Sequence, residues 1–148
     1  MGRVLRDRRL SLTFDLEHLR EGNQRIHRSD RKETHALPGQ LQAAVEAIED
    51  LKANRVVILD LRGLTDATDY FVIASGTSDA HVRGIADSVM EKLNRRGVHT
   101  HHVEGLNAGR WVLLDYVDFV IHLFHPETRS FYQLERLWGD APELLASL

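Results

Sequence analysis

The segment best suited to chemistry is Gly76-Thr77-Ser78-Asp79, which follows an apolar run and precedes a helical pattern. Backbone amides at such a strand-to-helix junction can hold a phosphate. Nucleotidyl transfer would also require a close pair of carboxylates to hold metal ions, and Asp79 supplies only one. The sequence contains no P-loop, dinucleotide fingerprint or nucleophile elbow. Helix capping by Thr77, Ser78 and Asp79 is therefore favoured over phosphate chemistry.

The nine histidines are the other candidates for chemistry, as metal ligands. His99 and His101 would share one face of a strand, and His122 and His125 lie three residues apart. Zinc needs three or four converging ligands, and no HExxH pair is present. Because the chain has no cysteine, thiolate metal sites, thiol catalysis and disulfides are excluded. Histidines on the surface or in hydrogen bonds are favoured, and no metal or other cofactor is predicted.

Two carboxylates, Asp115 and Asp118, flank Tyr116 between two apolar runs. A general-acid pair is conceivable, but no base partner is evident and no catalytic residue is predicted. The aspartates could instead be turn residues, with Asp115 as a turn cap. They could also present negative charge to a protein partner, with Trp111 and Tyr116 as anchors, since Trp and Tyr commonly dominate interfaces. The residues alone leave these alternatives open.

The elements that must position these residues follow from the hydrophobic pattern. Helical spacing of apolar residues covers 41–51, 82–93 and 131–138. Apolar runs of strand length cover 56–59, 70–74, 111–114 and 119–124, and a weaker strand is predicted over 98–103. This order predicts a single domain of the α/β (α+β) class, with a mixed β-sheet covered by helices.

Length and composition define the domain boundaries. The 148 residues fit one domain. Residues 1–37 are predicted to form a disordered extension, residues 38–141 the folded domain, and residues 142–148 a tail. The mean hydropathy of −0.31 and the lack of a long apolar run exclude a membrane-spanning helix. Because no secretory signal is present, a cytoplasmic protein is expected.

Charge is distributed unevenly along the chain. Residues 1–37 carry nine Lys+Arg and six Asp+Glu, a net charge of +3, which leaves −6 for residues 38–148 within the total of −3. An acidic body would repel phosphate backbones, so direct nucleic-acid binding is not expected. It would attract a basic protein surface instead.

Three blocks of sequence resemble the Iojap family of ribosomal silencing factors. They are LDLRGL with TDYFVIASGTS (59–64 and 68–78), WVLLDYVD (111–118) and RSFYQLERLWGD (129–140). The resemblance covers about residues 40–140 without a large gap. Ser75 stands where the family often has Thr, and Tyr116 stands where Leu or Phe is usual.

The resemblance implies a fold similar to that of nucleotidyltransferases, without their catalytic carboxylates, and a function that is not enzymatic. That function is to bind the large ribosomal subunit at its fourteenth protein and block the small subunit, which reduces translation when nutrients are scarce. The alternatives are a cryptic nucleotide-binding or nucleotidyltransferase-like enzyme and a homo-oligomeric assembly protein, and a homodimer could form off the ribosome. The predicted contacts with the ribosomal protein are Trp111, Asp115, Tyr116, Asp118, His122, Tyr132 and Glu135.

Overall fold

The structure, a computed structural model, describes residues 37–132 and 134–144. The extension predicted over residues 1–37 lies outside them except for Leu37, which is buried in the core. The described elements are α1 (Gly39–Asp50), β1 (Asn54–Asp60), β2 (Tyr70–Ser75), α2 (Asp79–Arg95), β3 (His102–Glu104), β4 (Trp111–Asp115), β5 (Phe119–Phe124), α3 (Pro126–Tyr132), α4 (Leu134–Leu137) and β6 (Glu143–Leu144). Within these ranges, every helix is too short or too polar to cross a membrane.

The two long helices have clear sequence signals. In α1, Leu41, Ala44, Val45 and Ile48 are buried on one stripe, as the helical spacing predicted. Ser78 caps α2, because its hydroxyl accepts a hydrogen bond from the His81 N–H at 3.0 Å. This confirms the capping interpretation for Ser78.

The six strands form one mixed sheet in the order β3-β4-β5-β2-β1-β6. β2 pairs with β5 in parallel, and every other described pair is antiparallel. The segment between Asp115 and Phe119 joins β4 and β5 as a hairpin, as predicted. The mixed sheet within a single α+β domain is therefore confirmed.

Side chains alternate between the two faces of this sheet, and each face has its own cover. On the first, the helix face, residues such as Val72, Leu114 and Ile121 pack against α1 and α2. On the second, the C-terminal face, Phe71, Trp111 and Phe124 share a cluster with three residues that follow α3: Leu134, Trp138 and Ala141. The chain thus covers both faces, as strands with continuous apolar sequence require.

Two edge strands differ from the prediction. β3 begins at His102, whereas a strand was predicted from residue 98. The residues before β3 instead complete the C-terminal end of α2: Gly97 has φ +79°, and the Val98 N–H donates a hydrogen bond to the Leu93 carbonyl at 2.9 Å.

β6 lies inside the segment predicted as a tail, and Leu144 pairs with Ile58 of β1. The sheet therefore gains an edge strand that the sequence pattern did not indicate.

Candidate functional site

The β1–β2 loop and the β4–β5 turn meet at one end of the sheet. They do so because β2 and β5 are parallel and begin side by side, with Tyr70 opposite Phe119. The Asp118 carbonyl accepts hydrogen bonds from the N–H groups of Asp69 (2.9 Å) and Tyr70 (3.3 Å). The Thr68 hydroxyl donates to the Val117 carbonyl at 3.0 Å. Residues 61–69 and 115–118 thus form one structural unit, here named the acidic tip.

The turn within the acidic tip has an unusual backbone. The Asp118 N–H donates to the Tyr116 carbonyl at 2.9 Å, and the residue between them, Val117, has φ +73°. These are the hydrogen bond and φ of the strained form of the γ-turn, which is rare. The Asp115 carboxylate stabilises it by accepting the Val117 N–H at 2.8 Å. Asp115 is therefore a turn cap, one of the alternatives that the sequence left open.

The acidic tip carries an excess of negative charge, since its charged residues are four aspartates and Arg62. Of the aspartates, Asp66, Asp69 and Asp118 are exposed. Burial and the neighbouring Asp118 carboxylate raise the pKa of Asp69, and Arg62 opposes this only in part. The tip therefore holds negative charges close enough to repel one another.

Arg62 is the one cation of the acidic tip, and its charge is already compensated. Its guanidinium contacts both carboxylate oxygens of the buried Asp60, at 2.9 and 2.8 Å. It also lies over the Tyr70 ring, 5.3 Å from the centroid. The bidentate pair with Asp60 raises the pKa of Arg62. The exposed surface of the tip is therefore dominated by its carboxylates.

The predicted contact residues do not form one exposed surface. Asp118 is exposed, but four others are buried: Trp111, Asp115, Tyr116 and His122. Tyr116 packs on the helix face and Trp111 on the C-terminal face. In the free chain both aromatics are therefore core residues, because both faces of β4 and β5 are covered, and their role as anchors stays a prediction. The side chains of Tyr132 and Glu135 lie outside the described residues.

His122 lies in an aromatic cluster on the C-terminal face. It is fully buried, 4.6 Å from the Phe71 ring, and its Nδ1 accepts a hydrogen bond from the Trp111 indole N–H at 3.1 Å. An accepting Nδ1 places the proton of a neutral ring on Nε2. Burial lowers the pKa of His122 to about 3. The side chain is therefore a neutral core residue, and its hydrogen bond joins β5 to β4.

The junction between β2 and α2 is occupied by the protein's own side chains. The Thr77 N–H donates to His81 Nδ1 at 2.9 Å, and His81 Nε2 lies 2.7 Å from the Leu51 carbonyl. Asp79 lies 3.6 Å from the Arg110 guanidinium. Two amides of this segment are thus already engaged, because the Gly76 N–H also donates to the Phe124 carbonyl at 3.0 Å.

The carboxylates at the two ends of β2 cannot act together on a metal ion. Asp60 lies opposite Tyr70, the first residue of β2, whereas Asp79 follows its last residue, Ser75. Six strand residues span roughly 17–20 Å, far more than a pair of metal ligands allows. Across residues 37–132 and 134–144, no three His, Asp or Glu side chains are grouped as metal ligands would be.

Comparison with known proteins identifies the family. A family model described as "Ribosomal silencing factor during starvation" matches residues 32–147. The chain belongs to this family of ribosomal silencing factors. This confirms the resemblance that the three sequence blocks indicated.

Individual proteins similar to this chain agree with this assignment. A ribosomal silencing factor from Halalkalibacterium halodurans is 42% identical over 102 residues, which cover 69% of this chain and 87% of the relative. The mouse protein "Mitochondrial assembly of ribosomal large subunit protein 1" is 42% identical over 74 residues, 48% of this chain and 32% of the relative. A crystal structure of a Chromobacterium violaceum protein superposes with a TM-score of 0.68 at 36% identity, covering 71% of this chain and 88% of the other.

Sequence reasoning about this silencing factor missed four residues of the acidic tip: Asp66, Thr68, Asp69 and Val117. Thr68 and Asp69 are separated from Val117 by almost fifty residues, and only the parallel pairing of β2 with β5 brings them together. Three of the four lie in the blocks that resemble the family: Thr68 and Asp69 begin the block 68–78, and Val117 lies in the block 111–118.

The buried His122 predicts how stability depends on pH. Its pKa falls from 6.5 to about 3 on folding, so between these values the unfolded chain binds a proton that the folded chain does not. The part of the folding stability that requires a neutral His122 is therefore complete above pH 6.5 and is lost as the pH falls toward 3. Replacing His122 with Asn, whose carbonyl can still accept the Trp111 N–H, should remove this dependence of stability on pH.

We expect the free energy of unfolding of the wild type to fall more steeply than that of His122→Asn, by about 1.4 kcal/mol per pH unit between pH 6 and 4. Urea titrations of both proteins at several pH values measure this difference. Parallel curves would show that His122 is protonated in the folded state as easily as in the unfolded one.

Proposed function

We propose that this ribosomal silencing factor attaches to the large ribosomal subunit through the subunit's fourteenth protein. Bound there, it sterically prevents the small subunit from joining and represses translation under nutrient limitation. Family membership and the name of the mouse relative, which refers to the large subunit, support a ribosomal partner. The observation that carries the proposal is the acidic tip, since opposite potentials steer an acidic surface to a basic ribosomal protein.

The contact surface in this proposal is centred on the exposed carboxylates of the acidic tip. This contact surface includes Asp118, which the sequence predicted, and also Asp66 and Asp69, which it did not. The other members of the predicted set are buried: Asp115 and Tyr116 lie within the tip, whereas Trp111 and His122 lie farther along β4 and β5. Tyr132 of α3 and Glu135 of α4 remain predicted contacts.

The proposal contains no catalytic step and needs no cofactor. The filled junction at Thr77 and the separation of Asp60 from Asp79 support a binding function over nucleotidyl transfer. The negative charge of the tip likewise favours a protein partner over ribosomal RNA. A homodimer off the ribosome remains a further prediction, and light scattering of the free protein tests it.

Co-sedimentation with purified ribosomal subunits tests the proposed function directly. The protein should pellet with large subunits and stay in the supernatant with small subunits, which serve as the control. It should also reduce the formation of complete ribosomes from purified subunits, measured on sucrose gradients. Failure to pellet with large subunits, or undiminished subunit joining at full occupancy, would contradict the proposal.

A further inference from the structure

Val117 combines two properties that an ordinary surface residue lacks. It is 48% exposed, the only exposed large hydrophobic residue among the side chains that the structure describes. It also holds φ +73°, a backbone conformation that is unfavourable for a β-branched side chain. Glycine would adopt this conformation without strain. The chain thus places an apolar side chain in solvent at a conformational cost, and such strain tends to occur at functional sites.

Buried groups on two separate segments fix the position of Val117. Asp115, which is buried at the end of β4, accepts its N–H at 2.8 Å. Thr68, which is buried in the β1–β2 loop, donates to its carbonyl at 3.0 Å. The next residue, Asp118, is fixed in the same way, because its carbonyl accepts the N–H groups of Asp69 and Tyr70. The turn is therefore ordered before any partner arrives, which lowers the entropic cost of binding.

The surroundings of Val117 indicate the chemistry of a partner. The exposed carboxylates of Asp69 and Asp118 belong to the same tip, where burial and, after it, repulsion from Asp118 raise the pKa of Asp69. A lysine or arginine side chain has an apolar stem and a cationic head. Such a side chain can pack its stem on Val117 while its head pairs with a carboxylate and relieves this repulsion.

We propose that Val117 is the apolar anchor by which the acidic tip docks on a basic protein surface, with Thr68 and Asp115 as its positioning residues. This inference rests on the proposed function and identifies the contact within it. Asp115 then acts through the backbone of Val117 and does not touch the partner.

The test uses Val117→Gly and Val117→Asn in the full chain. Both residues tolerate positive φ, so the melting temperature of each variant should equal or exceed that of the wild type. Both remove the apolar side chain, so the affinity for purified large subunits should fall about tenfold. Val117→Ile, which keeps an apolar side chain, is the matched control and should bind as the wild type does.

The variant Thr68→Val tests whether Thr68 acts by positioning Val117 or by touching the partner itself. In the wild-type background it should weaken binding severalfold, and in the Val117→Gly background it should have almost no further effect. An equal loss in both backgrounds would show that Thr68 does not act through Val117.

The outcomes distinguish this inference from the proposed function. If the wild type binds large subunits and both Val117 variants bind equally well, the anchor is wrong while the proposed function stands. If the wild type itself does not bind, both fail. If the variants instead change the oligomeric state of the free protein without changing subunit binding, the tip docks on a second copy of the chain and the inference is overturned.

Discussion

Exchanging both Asp69 and Asp118 for lysine should abolish the inhibition of subunit joining by this silencing factor. Both carboxylates are exposed at the acidic tip, where they would face the basic groups of the ribosomal protein. Disrupting a charge pair that is desolvated in a complex costs about 2–5 kcal/mol, so the double reversal should weaken binding at least about 30-fold. The fold should survive, because both side chains are exposed and the hydrogen bond that joins the two residues uses their backbone groups.

The measurement is inhibition of subunit joining at matched concentrations of folded protein, with large-subunit affinity measured in parallel. The control is Asp50→Lys with Asp87→Lys, which makes the same change in net charge on exposed residues of α1 and α2. The control should inhibit as the wild type does. Equal losses in both double variants would point to net charge alone, and undiminished inhibition by the tip variant would place the contact elsewhere, with the segment 126–138 as the next candidate.

Replacing Gly105 with alanine should have the largest effect on stability. Gly105 follows β3 with φ +78°, and an added Cβ would lie 2.1 Å from the Trp111 carbonyl oxygen at the start of β4. The neighbour is backbone, so relief of the contact would disturb the pairing of Trp111 with Phe124 of β5 or that of Glu104 with Leu113 of β4. Positive φ and overpacking together should lower the free energy of unfolding by about 3–5 kcal/mol.

Denaturant unfolding of Gly105→Ala measures this loss. The matched control is Gly39→Ala at the start of α1, where the new Cβ would meet only the Arg96 guanidinium, at 3.5 Å, and alanine favours the helix. The control should be as stable as the wild type or more so. A Gly105→Ala protein with wild-type stability would show that β4 can shift at Trp111 without penalty.

The sequence predicted the parts of the fold whose signals are local. β2 and β5 are apolar except for Ser75 and His122, and α2 follows a serine cap with a clear helical stripe, so each was expected at its position. β3 and β6 have three and two residues, and they are held by pairing with strands that lie elsewhere in the chain. No periodicity can develop over so few residues.

The site was less predictable, because it depends on burial and on an unfavourable backbone. Tryptophan and histidine occur both at interfaces and in protein cores. Trp111 and His122 are core residues here because other residues cover the C-terminal face of the sheet. Asp115 was expected to be either a contact or a cap, and its hydrogen bond to Val117 supports the cap. Valine itself argues against positive φ, so the strained turn could not be expected from the sequence.

The parallel pairing of β2 with β5 has a consequence for synthesis of the chain. Thr68 and Asp69 emerge early, but their partners Val117 and Asp118 follow almost fifty residues later, and β1 acquires its edge strand only at Glu143. Contacts between such distant segments form late in folding. A growing chain therefore cannot assemble the acidic tip until residues 117 and 118 have left the exit tunnel. Any binding that depends on the tip is delayed until that point of synthesis.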